Sequence, residues 1–132
     1  MHIDHLAIWV DDLEKMREFY LTYFDTTCNK RYVNPVKQFY SYFITFNQGG
    51  SRIELMYRPD IQGGMPDRGS NKGLAHLAIT VGNRHKVDSM VAQLRNEGYT
   101  IAGEPRISGD GYYEAVILDP EGNWVELLAE QE

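Results

Sequence analysis

Residues 3–10, Ile-Asp-His-Leu-Ala-Ile-Trp-Val, return as residues 74–81, Leu-Ala-His-Leu-Ala-Ile-Thr-Val, with His-Leu-Ala-Ile unchanged. Toward the end of each half, Arg-Ile-Glu-Leu-Met (52–56) is echoed by Trp-Val-Glu-Leu-Leu (124–128). His5 and His76 are 71 positions apart and Glu54 and Glu126 are 72 apart, so histidine leads glutamate by 49 residues in one half and 50 in the other. Two ordered matches at nearly one offset indicate a duplicated module.

The segments between these marks support the same division. Residues 2–10 alternate too weakly for a half-exposed strand and read as a mostly buried one. Asp11, with Glu14 three residues on, has the form of a capping box. After it Leu13, Met16, Phe19, Tyr20, Tyr23 and Phe24 recur at helical spacing and define one apolar face. A second helix is expected over roughly residues 84–97, with Val87, Met90, Val91 and Leu94 inward and Gly98 as its stop. Strands are expected near 26–34, 38–47 and 51–58 in the first half and near 100–107, 112–118 and 123–129 in the second. Gly49-Gly50, Gly109-Asp110-Gly111 and Asp119-Pro120-Glu121-Gly122-Asn123 supply turns. The pattern predicts an α+β chain of two tandem β-α-β-β-β modules, 1–58 and 74–132, joined by the Gly- and Pro-rich segment 59–73.

Composition bounds the function. The chain has 132 residues, 42% hydrophobic and 24% charged, a globular mix of one domain's size. Its formal charge of −6 argues against general nucleic-acid binding, which shows a basic excess. Seven of the thirteen basic residues (Lys30, Arg31, Lys37, Arg52, Arg58, Arg68 and Lys72) fall mid-chain, as a solvated surface or as a pocket for an anionic substrate. Cys28 is the single cysteine, which suits a reducing cytoplasm, and no apolar run reaches the roughly 18 to 20 residues of a membrane span. A soluble cytoplasmic protein with no membrane partner is expected.

The four repeated polar residues carry the chemistry. Side chains alternate along a strand, so His5 shares a face with Ile3, Ala7 and Trp9, and His76 has the matching place in its own strand. Glu54 and Glu126 interrupt apolar strands, where an unpartnered carboxylate costs several kcal/mol. If first and last strands of a module are neighbours, each module presents one histidine and one glutamate on one face. Two such faces would gather His5, Glu54, His76 and Glu126 around one ion. Two imidazoles and two carboxylates suit a divalent Zn, Ni, Co, Fe or Mn, with positions left for water or substrate oxygens.

These residues, with the Asp-Pro-Glu-Gly-Asn turn before the last strand, resemble the vicinal oxygen chelate superfamily over essentially the whole chain. That resemblance implies one domain, 1–132, whose two modules form curved, barrel-like mixed sheets of the glyoxalase/bleomycin resistance/dioxygenase fold. Within the superfamily the His/Glu/His/Glu set is most similar to that of bacterial glyoxalase I (lactoylglutathione lyase). It implies a metal-dependent isomerase that converts the hemithioacetal of a thiol and methylglyoxal to a 2-hydroxyacyl thioester. It also implies a homodimer in which modules of two chains form each site. By the same correspondence Glu126 is the catalytic base and Glu54 its partner. Glutathione-using members commonly carry arginine four positions after the first ligand, and asparagine often stands four after the first glutamate. This chain has Trp9 and Arg58 there, which leaves the thiol open. Trp9, Arg58 and Lys72 are candidate substrate-binding residues.

Rival readings within the resemblance are a methylmalonyl-CoA epimerase-like isomerase, in which glutamine usually replaces Glu54, and a metal-free, bleomycin-resistance-like binding protein, which generally lacks the ligand set. Fosfomycin-type thiol transferases and extradiol dioxygenases use three ligands. His2 and His85 lie outside the matched pattern and read as surface residues, and Cys28 as a passive thiol. Tyr112 and Tyr113 line a pocket or pack a hairpin edge, and 59–73 is a linker or a cover over the site.

Overall fold

In the first half β1 (His5–Trp9) leads into α1 (Leu13–Tyr23), the short strands β2 (Thr26–Cys28) and β3 (Tyr32–Asn34), then β4 (Phe39–Phe46) and β5 (Arg52–Tyr57). In the second, β6 (His76–Gly82) leads into α2 (Arg84–Asn96), then β7 (Ile101–Ile107), β8 (Tyr113–Leu118) and β9 (Trp124–Ala129). The computed structural model describes residues 1–131, and the chain divides into two units, Met1–Gly63 and Gly64–Glu132. Each is α+β, with one mixed sheet and one helix longer than a single turn. No helix among the described residues is long and apolar enough to cross a membrane.

The first sheet has the order β1-β5-β4-β2, with β3 added to β4, and the second the order β6-β9-β8-β7. In each, the first strand pairs in parallel with the last and the remaining pairs are antiparallel. Parallel neighbours need a crossover, and the helix after each first strand begins it by returning the chain across one sheet face. That topology makes histidine and glutamate neighbours although 49 or 50 residues separate them.

Alternation sorts the two faces of each sheet. Ile53 and Leu55 of β5 are buried, with Tyr42 and Ile44 of β4, against Met16, Phe19 and Tyr20 of α1. In the second unit Ala115, Ile117, Val125 and Leu127 meet Val87, Met90, Val91 and Leu94 of α2. Each fully buried aliphatic side chain contributes about 1.5–3 kcal/mol by leaving water. The intervening residues, Glu54 in β5 and Glu126 in β9, are turned to the opposite face.

Three expectations are corrected in detail. β1 is not a mostly buried strand: His5, Ala7 and Trp9 are exposed and only Leu6 and Ile8 are partly covered. It is the edge strand of its sheet and packs on one side only. The N-cap of α1 is Asp12, whose side chain accepts from the Lys15 N–H at 3.0 Å. The Glu14 carboxylate accepts the Tyr42 hydroxyl at 2.8 Å. Finally, 26–34 is two strands, interrupted where the Asn29 side chain takes the Phe43 N–H at 2.8 Å in place of a backbone carbonyl.

The turn between β8 and β9 is built on Asp119, which is buried. Its carboxylate accepts from the backbone N–H groups of Glu121 and Asn123 at 3.0 and 2.9 Å and from Asn123 Nδ2 at 2.8 Å. Those donors offset the desolvation of the charge. Asn123 Oδ1 in turn accepts from Arg68 Nη1 at 2.8 Å, which ties the 3-10 turn Arg68–Ser70 to this corner of the second unit.

Candidate metal centre

The parallel registers set Ala7 opposite Glu54 and His5 opposite Arg52, and likewise Ala78 opposite Glu126 and His76 opposite Trp124. Residues in register share a face, so each imidazole lies diagonal to its glutamate across a small alanine. His5 Nε2 is 3.6 Å from Glu54 Oε1, and His76 Nε2 is 3.3 Å from Glu126 Oε2. Metal–nitrogen and metal–oxygen bonds of about 2.0–2.2 Å place adjacent ligand atoms of one ion roughly 3.0–3.4 Å apart. The His76–Glu126 pair at 3.3 Å falls within that range, and the His5–Glu54 pair at 3.6 Å lies just beyond it. The donors of each pair, one imidazole nitrogen and one carboxylate oxygen, are of the kind that suits a divalent cation of the Zn or Ni type. Among the described residues no group of three or more His, Cys, Asp or Glu side chains gathers as a metal site. Each pair by itself offers two donor atoms.

The surroundings of the two pairs differ. His5 Nδ1 lies 2.7 Å from Asp4 Oδ2, an oxygen that also accepts from Arg52 Nη2 at 2.7 Å. These two hydrogen bonds, His5 first, hold the Asp4 carboxyl below its ordinary range. The His5 ring meets Phe43 edge to face at 5.1 Å. In the second unit burial pushes the Glu126 carboxyl above the ordinary glutamate range; His76 pulls it down, Glu114 and Asp110 push it up, and Arg106 pulls it down. Glu114 lies on the same face as Glu126, opposite Leu128, with Arg106 Nη2 3.5 Å from its Oε1.

Of the candidate substrate residues, Trp9 and Arg58 are together. The Arg58 guanidinium carbon is 5.6 Å from the Trp9 ring centroid, and Phe39 meets Trp9 edge to face at 6.1 Å. Arg58 is also paired with Asp60, Nε to Oδ1 at 2.5 Å and Nη2 to Oδ2 at 3.0 Å, so a substrate anion would have to compete with a carboxylate already in place. Lys72 is exposed in the second unit. Tyr113 donates its hydroxyl to Asp88 Oδ1 at 2.6 Å and lies under the Arg84 guanidinium at 5.1 Å.

Asp4, Arg52, Glu114 and Arg106 are the charged neighbours that sequence reasoning missed. A signal for Glu114 was present: like Glu54 and Glu126, it is a carboxylate in an apolar strand, Tyr-Glu-Ala-Val-Ile-Leu (113–118). Asp4 precedes His5 and Arg52 stands two residues before Glu54, but only the parallel register makes them neighbours of each other.

Comparison with known proteins agrees with this architecture. The chain is 27% identical to a lactoylglutathione lyase of Schizosaccharomyces pombe, over 98% of its own length and 48% of that protein's, so it spans about half of this curated relative. A glyoxalase family protein from Bacillus cereus superposes with a TM-score of 0.81 at 20% identity, covering 100% of this chain and 95% of that one. Glyoxalase I from Zea mays does so with a TM-score of 0.79 at 21% identity, covering 99% and 45%. The trypanothione-dependent glyoxalase I of Leishmania major gives 0.78 at 23% identity, covering 98% and 87%. At these identities the structural likeness is one of fold. The family model for the glyoxalase/bleomycin resistance protein/dioxygenase superfamily matches residues 2–127. With two matching β-α-β sheets and a family match over nearly its whole length, the chain belongs to that superfamily.

Proposed function

We propose that this chain is a metal-dependent isomerase of the glyoxalase I type, acting on the hemithioacetal formed by methylglyoxal and a thiol. The observation that carries the reading is the pairing of His5 with Glu54 at 3.6 Å and of His76 with Glu126 at 3.3 Å, at or close to the separation of neighbouring ligands of one ion. His5 and Glu54 of one copy and His76 and Glu126 of a second copy hold the cation in a homodimer. Each pair supplies two donors, which leaves coordination positions for a second pair to fill.

A divalent cation in this place supplies Lewis-acid polarisation to the vicinal oxygens of the substrate. The chain's own residues do the rest. The two imidazoles fix the position of the site, and Glu54 adds negative charge on the same sheet face as His5. Glu126 takes the proton from the substrate carbon bearing the hydroxyl and sulfur and returns it to the neighbouring carbon. The net result is the 2-hydroxyacyl thioester, with no atom gained or lost. Burial, which raises the proton affinity of Glu126, makes it a better base than an exposed glutamate. Trp9 and Arg58 on the first unit and Lys72 on the second are the residues assigned to the thiol portion. Cys28, the sole cysteine, suits a reducing cytoplasm.

The test is metal analysis of the purified protein joined to an assay with methylglyoxal and several thiols. Activity restored by Ni or Zn with one of those thiols is expected. Glu126→Gln should lower kcat by about 100-fold or more while binding metal within about tenfold of the parent, since the amide oxygen remains a weak ligand. No turnover with any metal or thiol contradicts the glyoxalase reading and leaves the fold untouched.

A further inference from the structure

The two half-sites differ in what stands behind the histidine. In the first, Asp4 Oδ2 accepts from Arg52 Nη2 and faces His5 Nδ1, each at 2.7 Å. The Arg52 guanidinium carbon rests 4.3 Å from the centroid of Phe43, whose ring also meets the His5 ring. In the second half the duplication puts Ala75 where Asp4 stands and Trp124 where Arg52 stands. An ionised carboxylate only accepts hydrogen bonds, so the ring nitrogen facing Asp4 carries the proton. In the neutral imidazole the other nitrogen, Nε2, then keeps its lone pair. Nε2 is the atom 3.6 Å from Glu54 Oε1.

We infer that Asp4, anchored by Arg52, is a positioning residue that fixes His5 as the Nδ1–H tautomer and presents Nε2 to the cation site. As an ion pair Asp4–Arg52 is exposed and would contribute little to stability. Its effect is on direction: the ring is defined by Asp4 at Nδ1, Phe43 at its side and Glu54 beyond Nε2. A carboxylate behind a ligand histidine fixes its tautomer and raises its basicity, and losing one typically weakens metal binding about 10- to 100-fold. His76, with alanine at the matching position, owes nothing to such a residue there. The purpose of the device rests on the metal reading above; the tautomer itself does not.

The experiment uses 15N-labelled, metal-free full chain at a pH where its imidazoles are neutral, with long-range 1H–15N spectra reporting each tautomer. His5 is expected as the Nδ1–H form in the parent. In Asp4→Ala it should shift toward a mixture or the Nε2–H form, with His76 unchanged. Asp4→Asn, whose carbonyl oxygen can accept the same bond, should keep the parent tautomer. Zinc titration should show binding about 10- to 100-fold weaker in Asp4→Ala and less weakened in Asp4→Asn. A parent His5 in the Nε2–H form, a tautomer indifferent to Asp4→Ala, or unchanged zinc affinity in that variant overturns the inference. A parent that keeps the tautomer but binds no zinc overturns the functional reading instead.

Discussion

Glu126 stands between Val125 and Leu127, both fully buried under α2, yet its own carboxylate is turned to the other side of the sheet. Its proton affinity is raised chiefly by burial, which fixes the sign of a stability effect. Ionising the side chain is harder in the folded protein than in the unfolded chain. The metal-free protein therefore loses stability as pH rises from the ordinary value of 4.5 through the raised one, and no further above it. Glu126→Gln removes that loss, so calorimetry of metal-free protein should find its Tm at or above the parent's at pH 7, with the difference disappearing near pH 4. A variant less stable than the parent at pH 7 would show that the carboxylate serves the fold. Glu114 pushes in the same direction as burial, so Glu114→Gln should move the Glu126 titration, followed by carboxyl NMR, to lower pH.

At the scale of elements, the repeated His-Leu-Ala-Ile and the two glutamate strands were legible because alternation and spacing are local properties. Both helices could be read from apolar spacing, and α2 does end before Gly98, which takes a φ of 91°. Three features were not legible. Asp11 and Asp12 are both capable caps; where Leu13 reaches the core decides between them. The break between β2 and β3 depends on Asn29 meeting Phe43, 14 residues away. The exposure of β1 follows from its place at the edge of the sheet, which pairing and not composition determines. The segment 59–73 is another case: its Arg68–Ser70 turn is held to Asn123, and a Cβ on Gly69 would lie 2.1 Å from Trp124 Cδ2. Gly69→Ala should thus cost about 1–3 kcal/mol by overpacking and shift the indole emission to the red. Denaturant unfolding and fluorescence check both, and an unperturbed variant would mean the turn does not rest on Trp124.

At the scale of the whole molecule, the duplication is symmetric in its histidine–glutamate pairs and asymmetric around them. Asp4 and Arg52 attend His5, while Glu114 and Arg106 attend Glu126. In the proposed enzyme this asymmetry would suit a second half whose Glu126 both binds the ion and moves the proton. The two histidine–glutamate pairs were legible from the repeat, whereas the partner for each pair was not, since sequence periodicity places residues on faces and says nothing of which faces meet. The proposed homodimer makes each site from the first half of one copy and the second half of another. Two inactive variants decide this: His5→Ala/Glu54→Ala and His76→Ala/Glu126→Ala, unfolded together and refolded as a mixture. In a mixed dimer one site receives both damaged halves and the other both intact halves, so metal stoichiometry and methylglyoxal turnover should recover to roughly a quarter of the parent's. Recovery of neither, with mixed dimers present, would contradict the shared site.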